Sequence, residues 1–245
     1  MRYLIISDIH GNLHALEAVL ADAATIGYDA VLCLGDLVGY GADPGGVIER
    51  VTALEPVAMV RGNHDKVCAG LEPPILFNEL ARKSVEWTHK TLTPSELAML
   101  IALPKGPMQV GTEIEICHGS PFDEDHYIFD QKDAGRAIAS SEGRICLFGH
   151  THLPAIFAGA ADPARHTDDL APEELTLPRT GPALINVGSV GQPRDNDPRA
   201  AYGLLDLDRM TIRMRRTFYD VAGAQERILK AGLPAWLAMR LERGQ

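Results

Sequence analysis

Apolar runs of strand length alternate with amphipathic segments in the first sixty residues. The run RYLIIS at residues 2–7 stops before a turn signal at Gly11, as expected of a buried strand that leads into a loop. Leucine and valine then recur at helical spacing as far as Gly27, which predicts an amphipathic helix. The order repeats, with DAVLCLGD as a second strand, residues 43–54 as a second helix, and PVAMVRGNHD as a third strand entering a loop. Strands and helices alternating at this length imply parallel crossovers and an α/β fold.

Two further stretches have helical patterns. Residues 75–103 show helical spacing, and within them Thr93, Pro94 and Glu96 form the signal of a capped helix start. The chain closes with VAGAQERILKAGLPAWLAMRLERG, which we also interpret as helical. The apolar stripes of these helices predict core positions.

The remaining strands are short and closely spaced from residue 107 onward. They include RICLFGH, LPAIF, PALINVGS, AAYGLLDL and TIRMRRTF, and we expect them to form a second, more antiparallel sheet beside the first. Residues 159–182 are rich in Gly, Ala, Asp and Pro and predict a long surface loop or hairpin. The length of 245 residues fits one domain over residues 1–245.

Charge and cysteine content narrow the function classes. The formal net charge of −10 argues against electrostatic binding to nucleic acid or to an anionic membrane surface, so we predict neither partner. The four cysteines are scattered without a CxxC pair, which favours reduced thiols in the cytoplasm. The first apolar run is too short for a signal sequence, and cleavage of a leader would remove Asp8 and His10. We therefore expect a cytoplasmic protein; its oligomeric state is not predicted.

Polar residues of one chemical class follow the predicted strands. Each alone has a plain alternative, because Asp36 could cap a helix, Asn63 could form a turn and His118 could be a loop histidine. In parallel sheets, however, the carboxyl ends of strands meet at one edge, where ligands bind. In FGHTH, the two-residue spacing lets both imidazoles point at one centre. Together they predict a metal site with seven candidate ligands: Asp8, His10, Asp36, Asn63, His118, His150 and His152.

The ordered motifs SDIHGN, CLGD, RGNHD, CHGSP and FGHTH, from residue 7 to residue 152, resemble the calcineurin-like metallophosphoesterases. The later NVGSVGQPRDNDPRAAYGLLDL resembles the closing segment of the small prokaryotic phosphodiesterase-like branch. The resemblance implies a four-layer α/β/β/α sandwich, in which two mixed β-sheets are flanked by helices. It also implies a two-metal site: one ion on Asp8, His10 and His152, the other on Asn63, His118 and His150, and Asp36 bridging both.

The donor set agrees with this implication on chemical grounds. Imidazoles with few carboxylates suit divalent transition metals, so manganese is our first candidate, with iron, zinc, nickel or cobalt as alternatives. Two dications carry four positive charges and the two aspartates carry two negative ones, so the centre has an excess of about two positive charges. This excess matches a small anionic phosphate substrate. Two ions at roughly 3.5–4 Å activate a shared water, so no protein nucleophile is required.

His64 is the candidate catalytic residue, because it lies next to Asn63 but outside the ligand set. We expect it to protonate the leaving oxygen or to stabilise its charge. A plain loop histidine is the alternative. Asp65 either orients His64 or caps the next helix.

Substrate contacts are less constrained. The protein phosphatase branch of the superfamily has Asp and Arg after its second Gly-Asp motif, where this chain has Gly39 and Tyr40. This departure favours phosphodiesters, with phosphomonoesters as further substrates. Arg194 and Tyr40 are candidate substrate-binding residues, with a surface salt bridge and core packing as their alternatives. Asn12 is a third candidate, and it could instead orient a metal ligand, as could Arg61.

Three other functions stay open. A hydrolase of dinucleoside polyphosphates or other nucleotide pyrophosphates would use the same metal site. A protein phosphatase-like activity is the second alternative. A non-catalytic metal-binding scaffold is the least favoured, because all seven ligands and His64 are present.

Overall fold

The computed structural model describes residues 1–158, 165–166 and 174–245. Within these ranges, the strands are β1 (Arg2–Ile6), β2 (Ala30–Cys33), β3 (Ala58–Met59), β4 (Met108–Val110), β5 (Ile114–Ile116), β6 (Ile145–Phe148), β7 (Ala155–Ala158), β8 (Arg165–His166), β9 (Glu174–Thr176), β10 (Ala183–Asn186), β11 (Ala200–Asp206) and β12 (Thr211–Thr217). The helices are α1 (Leu13–Ile26), α2 (Pro44–Thr52), α3 (Asn63–Cys68), α4 (Glu79–Thr91), α5 (Pro94–Ala102), α6 (Gln131–Ser140), α7 (Val221–Lys230) and α8 (Ala235–Met239), with a 3-10 turn at Arg240–Arg243.

The strands form two six-stranded sheets, and both are mixed. The first has the order β3-β2-β1-β11-β12-β9, in which β1, β2 and β3 are parallel and the other pairs are antiparallel. The second has the order β4-β5-β6-β10-β7-β8, in which β5, β6 and β10 are parallel. The predicted ligands follow five of these parallel strands, namely β1, β2, β3, β5 and β6.

Three apolar layers hold the sheets and helices together. Residues such as Ile5, Ile116 and Ile185 are buried between the two sheets. The opposite face of the first sheet packs against a cluster that includes Leu16 of α1, and α6 covers the outer face of the second sheet. The result is a four-layer α/β/β/α sandwich, and the predicted fold class is confirmed.

The prediction that β11 and β12 join the second sheet was wrong. β11 pairs antiparallel with β1, with Leu204 opposite Leu4, and β12 then pairs with β11. Six of the seven residues of β11 are buried, because helices cover one face of the strand and the second sheet covers the other. The close spacing of the two strands predicted that they pair with each other, but it carries no information about which sheet they extend.

The third predicted strand and the predicted long loop also differ from the structure. β3 is only two residues long, and α3 begins at Asn63, where we expected a loop. Within residues 159–182, Glu174–Thr176 forms an edge strand that pairs with β12, and Arg165–His166 pairs with β7. The rest of that prediction, for residues 159–164 and 167–173, lies outside the described residues.

The predicted helix start at Pro94 is confirmed. The Thr93 hydroxyl accepts a hydrogen bond from the backbone N–H of Glu96, whose carboxylate accepts one from the N–H of Thr93. Such a reciprocal cap satisfies two backbone donors that the helix itself leaves unpaired. Across the residues that the structure covers, none of the helices combines the length and apolar content needed to cross a membrane.

Candidate metal centre

All seven predicted ligands lie where strands of the two sheets end. Asp8, His10, Asp36 and Asn63 follow strands of the first sheet, and His118, His150 and His152 follow strands of the second. Because the carboxyl ends of these strands face the same edge of the sandwich, side chains distant in sequence converge there.

The convergent side chains form two groups that share Asp36. Within each group, one donor atom per residue lies within 4.8 Å of the others: Asp8, His10, Asp36 and His152 form one group, and Asp36, His118 and His150 form the other. The Oδ2 atom of Asp36 lies 3.5 Å from Nε2 of His10 and 3.5 Å from Nε2 of His118. The side-chain oxygen of Asn63 lies 3.3 Å from Nε2 of His118 and so belongs with the second group. This is the division implied by the motif resemblance; metal binding by these groups stays a prediction.

Backbone conformation at these positions is costly. Five of the predicted ligands have φ angles in the left-handed region that L-residues avoid. The angles are 52° for Asp8, 50° for His10, 53° for Asp36, 67° for His150 and 62° for His152. Each such residue costs about 1–2 kcal/mol, and this strain persists only where the surrounding structure imposes it. The fold therefore spends stability on aiming these five side chains at one point.

Neighbouring donors fix the two carboxylates. Asp8 accepts hydrogen bonds from the backbone N–H of His150, at 3.2 Å, and from the hydroxyl of Ser7, at 2.7 Å. Asp36 accepts one through Oδ1 from the backbone N–H of His64, at 2.8 Å, which leaves Oδ2 facing the histidines. Backbone and hydroxyl donors thus hold both carboxylates in one orientation.

Gly62 is required by the close approach of Asp36. A Cβ atom on Gly62 would lie 2.0 Å from Oδ1 of Asp36, a distance at which atoms overlap. The glycine in the RGNHD motif therefore lets the segment between β3 and α3 pass directly behind the shared carboxylate.

Four histidines donate to backbone carbonyls through the ring nitrogen that points away from the centre. The pairs are Nδ1 of His10 with Val38 (3.1 Å), Nδ1 of His118 with Leu34 (2.8 Å), Nε2 of His150 with Asp125 (3.1 Å), and Nδ1 of His152 with Gln192 (2.6 Å). A carbonyl oxygen only accepts, so each of these nitrogens carries the hydrogen. In a neutral ring the other nitrogen then presents a lone pair, which is the arrangement typical of metal-binding histidines.

The lone pairs face each other. Nε2 of His10 lies 3.1 Å from Nε2 of His152, and Nε2 of His118 lies 3.1 Å from Nδ1 of His150. Two lone pairs at this separation repel unless a cation or a proton lies between them. The donor set thus fits divalent transition metals, which imidazole nitrogen and carboxylate oxygen bind well.

Charge states at the centre agree with this fit. Burial lowers the pKa of His10 and of His152 well below the usual value, which keeps both rings neutral and leaves their facing lone pairs without a proton. Burial also opposes protonation of His118, but the charges of Asp36 and Asp8 outweigh it and raise its pKa to about 10. The negative potential of the two aspartates therefore attracts a positive charge to the site even in the protein alone.

His64 lies beside the centre in an aromatic environment. Its ring is 4.4 Å from that of Tyr40, 4.7 Å from Phe77 and 4.8 Å from His10 between centroids. Burial lowers the pKa of His64 to about 4, against the opposing effect of Asp36, so the ring is neutral near pH 7. Its Nδ1 atom is buried against Gly39 without a hydrogen-bond partner among the described residues, which is an unusual state for a polar atom.

The other predicted residues have different surroundings. Asn12 caps α1 by accepting from the N–H of Ala15, and its amide donates to the carbonyl of Gly191, so its polar atoms serve the fold. Tyr40 is 7% exposed and its ring packs against His10, which leaves little of the ring for a ligand to stack on.

Asp65, Arg61 and Arg194 also have defined partners. Asp65 accepts from the N–H groups of Val38 and Gly62 and thus caps α3, one of its two expected roles. Arg61 forms a bidentate ion pair with Glu124. Arg194 lies over the ring of Tyr40 with its guanidinium carbon 5.9 Å from the centroid.

Sequence reasoning missed the support of His150. The Tyr127 ring stacks on the His150 ring with centroids 3.8 Å apart, and the carbonyl of Asp125 accepts from its Nε2. The side chain of Asp125 pairs with Lys66, which is 2% exposed and also contacts Glu124. Backbone carbonyls carry no residue signature, and Lys66 in RGNHDK was the only signal available.

We expect Lys66→Met to lower the free energy of unfolding by about 1–3 kcal/mol, because Asp125 loses its cation inside the protein and Glu124 keeps only Arg61. The loop that holds His150 should loosen as well, reducing metal affinity by about 10–100-fold. Denaturant unfolding and a metal titration measure the two effects. Lys83→Met is the control: Lys83 forms an exposed pair with Glu79, so its loss should cost at most about 0.5 kcal/mol and leave metal affinity unchanged.

The pH dependence of the Lys66 effect has a defined sign. Burial alone would raise the pKa of Glu124, but Arg61 and Lys66 outweigh it and hold the pKa below the usual 4.5. The pairing energy is therefore present at neutral pH and is lost as the pH falls below 4.5. The stability difference between wild type and Lys66→Met should shrink over that acidic range; a constant difference would contradict the ion-pair explanation.

Comparisons with known proteins identify relatives along the whole chain. The calcineurin-like phosphoesterase superfamily domain matches residues 1–210. A metallophosphoesterase from Sphaerobacter thermophilus is 37% identical, with a TM-score of 0.89 over 100% of this chain and 99% of that one. The uncharacterized protein MJ0912 of Methanocaldococcus jannaschii is 35% identical over 98% of this chain and 97% of its own length. The phosphodiesterase YfcE of Escherichia coli is 24% identical over 86% of this chain and 91% of its own length.

Proposed function

Since the chain belongs to the calcineurin-like phosphoesterase superfamily and is a phosphoric ester hydrolase, we propose that it hydrolyses phosphodiester bonds in small molecules and depends on two divalent metal ions. The observation that carries the proposal is the pair of donor groups that share Asp36. Two groups joined by one carboxylate suit a pair of metals that act on one phosphate.

The proposed ligand assignment follows the distances. Asp8, His10 and His152 would hold one ion, Asn63, His118 and His150 would hold the other, and both would share Asp36. Neutral Asn63 in place of a third carboxylate leaves an excess of positive charge for an anionic substrate. Manganese is the first candidate for both positions, because imidazole-rich sites prefer transition metals to magnesium or calcium.

The bound ions would lower the pKa of a water molecule and neutralise charge on the phosphoryl oxygens. The protein's own contribution is to hold the donors in place and to present His64. His64, whose ring is neutral near pH 7 and lies beside that of His10, donates a hydrogen bond to the leaving oxygen.

A diester substrate is favoured over a phosphoprotein. Gly39 and Tyr40 stand where the protein phosphatase branch has its phosphate-gripping Asp and Arg. The relationship to YfcE, a phosphodiesterase by name, supports the same choice. Phosphomonoesters and pyrophosphate links of dinucleoside polyphosphates are the further substrates to test.

We expect the metal-stripped protein to lose hydrolysis of bis(p-nitrophenyl) phosphate by at least about 10³-fold, and manganese to restore it. Release of p-nitrophenol measures the rate, and metal analysis of the same samples measures occupancy. Aryl monophosphate, a dinucleoside polyphosphate and a phosphopeptide complete the panel. Undiminished turnover without metal would overturn the proposal, and a preference for the phosphopeptide would overturn the diester assignment.

A further inference from the structure

Two arginines lie over the ring of Tyr40, next to the candidate metal centre. The guanidinium carbon of Arg194 is 5.9 Å from the ring centroid and that of Arg240 is 5.7 Å. The same ring lies 4.8 Å from His10 and 4.4 Å from His64. One aromatic ring therefore separates two cations from a proposed metal ligand and from the proposed catalytic histidine.

Neither arginine pairs with an acidic side chain among the described residues. Arg194 donates to the side-chain oxygen of Gln192 at 3.1 Å, and its Nε atom is buried without a hydrogen-bond partner. Arg240 donates to the main-chain oxygen of Gln245. Every other half-buried arginine whose burial the structure describes pairs with an acidic side chain. In a chain with 33 acidic and 23 basic side chains, two neighbouring arginines with no acidic side chain beside them in the described residues point to a ligand with negative charge.

The fold keeps these like charges together at an energetic cost. Burial and the charge of Arg194 lower the pKa of Arg240 to about 10. The turn that carries Arg240 is nevertheless well anchored, since Leu241 is buried in the same apolar cluster as Tyr40. The backbone N–H of Asn196 also donates to the carbonyl of Gly244, at 2.9 Å, which ties the turn to the loop that carries Arg194.

The two guanidinium groups are close to the centre. Both lie over the ring of Tyr40, whose centroid is 4.8 Å from that of His10 and 4.4 Å from that of His64. An anion held by the two guanidinium groups would therefore lie beside the phosphate attacked at the metal centre.

We infer that Arg194 and Arg240 form a second anion subsite, which binds a phosphoryl group of the substrate other than the one that is hydrolysed. Planar guanidinium groups bind phosphate through paired hydrogen bonds and remain charged when partly buried. The inference rests on the proposed function and narrows its substrate class to phosphodiesters that carry an additional phosphate. Arg194 lies within residues 1–210, which match the superfamily domain, whereas Arg240 lies beyond them.

Two diesters with the same scissile bond test the inference. One is thymidine 5′-(p-nitrophenyl phosphate), and the other is the same compound with a 3′-phosphate. For the manganese-loaded protein we expect KM to be about tenfold lower for the phosphorylated diester. The ratio of the KM values of the two diesters should move toward one in Arg240→Gln and also in Arg194→Gln. Arg243→Gln is the matched control, because Arg243 is on the same turn but lies over the ring of the exposed Trp236, and it should keep the wild-type ratio.

Thermal unfolding with product-like ligands gives a readout that is independent of turnover. Thymidine 3′,5′-bisphosphate should raise the Tm more than thymidine 5′-phosphate in the wild type, and the difference should vanish in Arg240→Gln. Equal KM values for the two diesters, or equal Tm shifts, would overturn the subsite. If neither diester is hydrolysed but the bisphosphate still shows its arginine-dependent advantage, the proposed function fails while the subsite stands.

Discussion

We expect Asp36→Asn to reduce hydrolysis of bis(p-nitrophenyl) phosphate by at least about 10³-fold, which corresponds to about 4 kcal/mol. Asp36 is the only side chain shared by the two donor groups of the described residues, and its Oδ2 atom lies 3.5 Å from a histidine nitrogen in each. Asparagine keeps an oxygen for the backbone N–H of His64, so the local hydrogen bond survives. The negative charge that would join two dications is lost, and with it one of the ions.

Metal content and thermal unfolding separate this effect from misfolding. Wild type should bind two manganese ions per chain and gain Tm on their addition, whereas Asp36→Asn should bind at most one and gain less. Asp65→Asn is the matched control: Asp65 is also a buried carboxylate, but it caps α3 and lies outside both donor groups. It should lower Tm slightly and keep both ions. Two ions and a wild-type rate in Asp36→Asn would remove Asp36 from the bridging position.

The site was predictable because its residues obey a topological rule. Asp8, Asp36 and His118 are far apart in sequence, but each follows a strand that is parallel to its neighbour, and such strand ends must share an edge. The apolar runs that identified the strands are short and uninterrupted, as expected when both faces of a sheet are covered. The layer order and the convergence of these side chains therefore follow from local patterns.

Other features depend on contacts that no local pattern encodes. The pairing of β11 with β1 places the β11–β12 hairpin in the first sheet, and the apolar pattern of β11 would suit either sheet. The carbonyls of Val38 and Leu34 that orient His10 and His118 are backbone atoms, which every residue type supplies. The same limit applies to Arg240, since its approach to Tyr40 requires the C-terminal turn to pack against the loop before β11.

The second large effect that we expect is a loss of about 10²–10³-fold in His64→Ala with both metal ions retained. His64 contributes no atom to either donor group in the described residues, and its unpaired nitrogen lies in a buried position beside His10. The loss should depend on the leaving group, because a hydrogen-bond or proton donor matters most when the departing oxygen is strongly basic. Thus a dialkyl or nucleoside diester should lose far more rate than the p-nitrophenyl diester.

Leaving-group dependence distinguishes this role from the alternatives for His64. If the variant lost metal, or lost rate equally for good and poor leaving groups, His64 would be a structural residue that supports His10. His64→Gln is the control for packing, because it retains a side-chain N–H between Tyr40 and Phe77. It should recover part of the rate with the poor leaving group. His126→Ala is the second control, since His126 pairs with Asp133 on α6 and should leave both rates unchanged. A graded loss with intact metal would place the donor, and therefore the leaving oxygen, on the side of the centre where His64 meets Tyr40 and the two arginines.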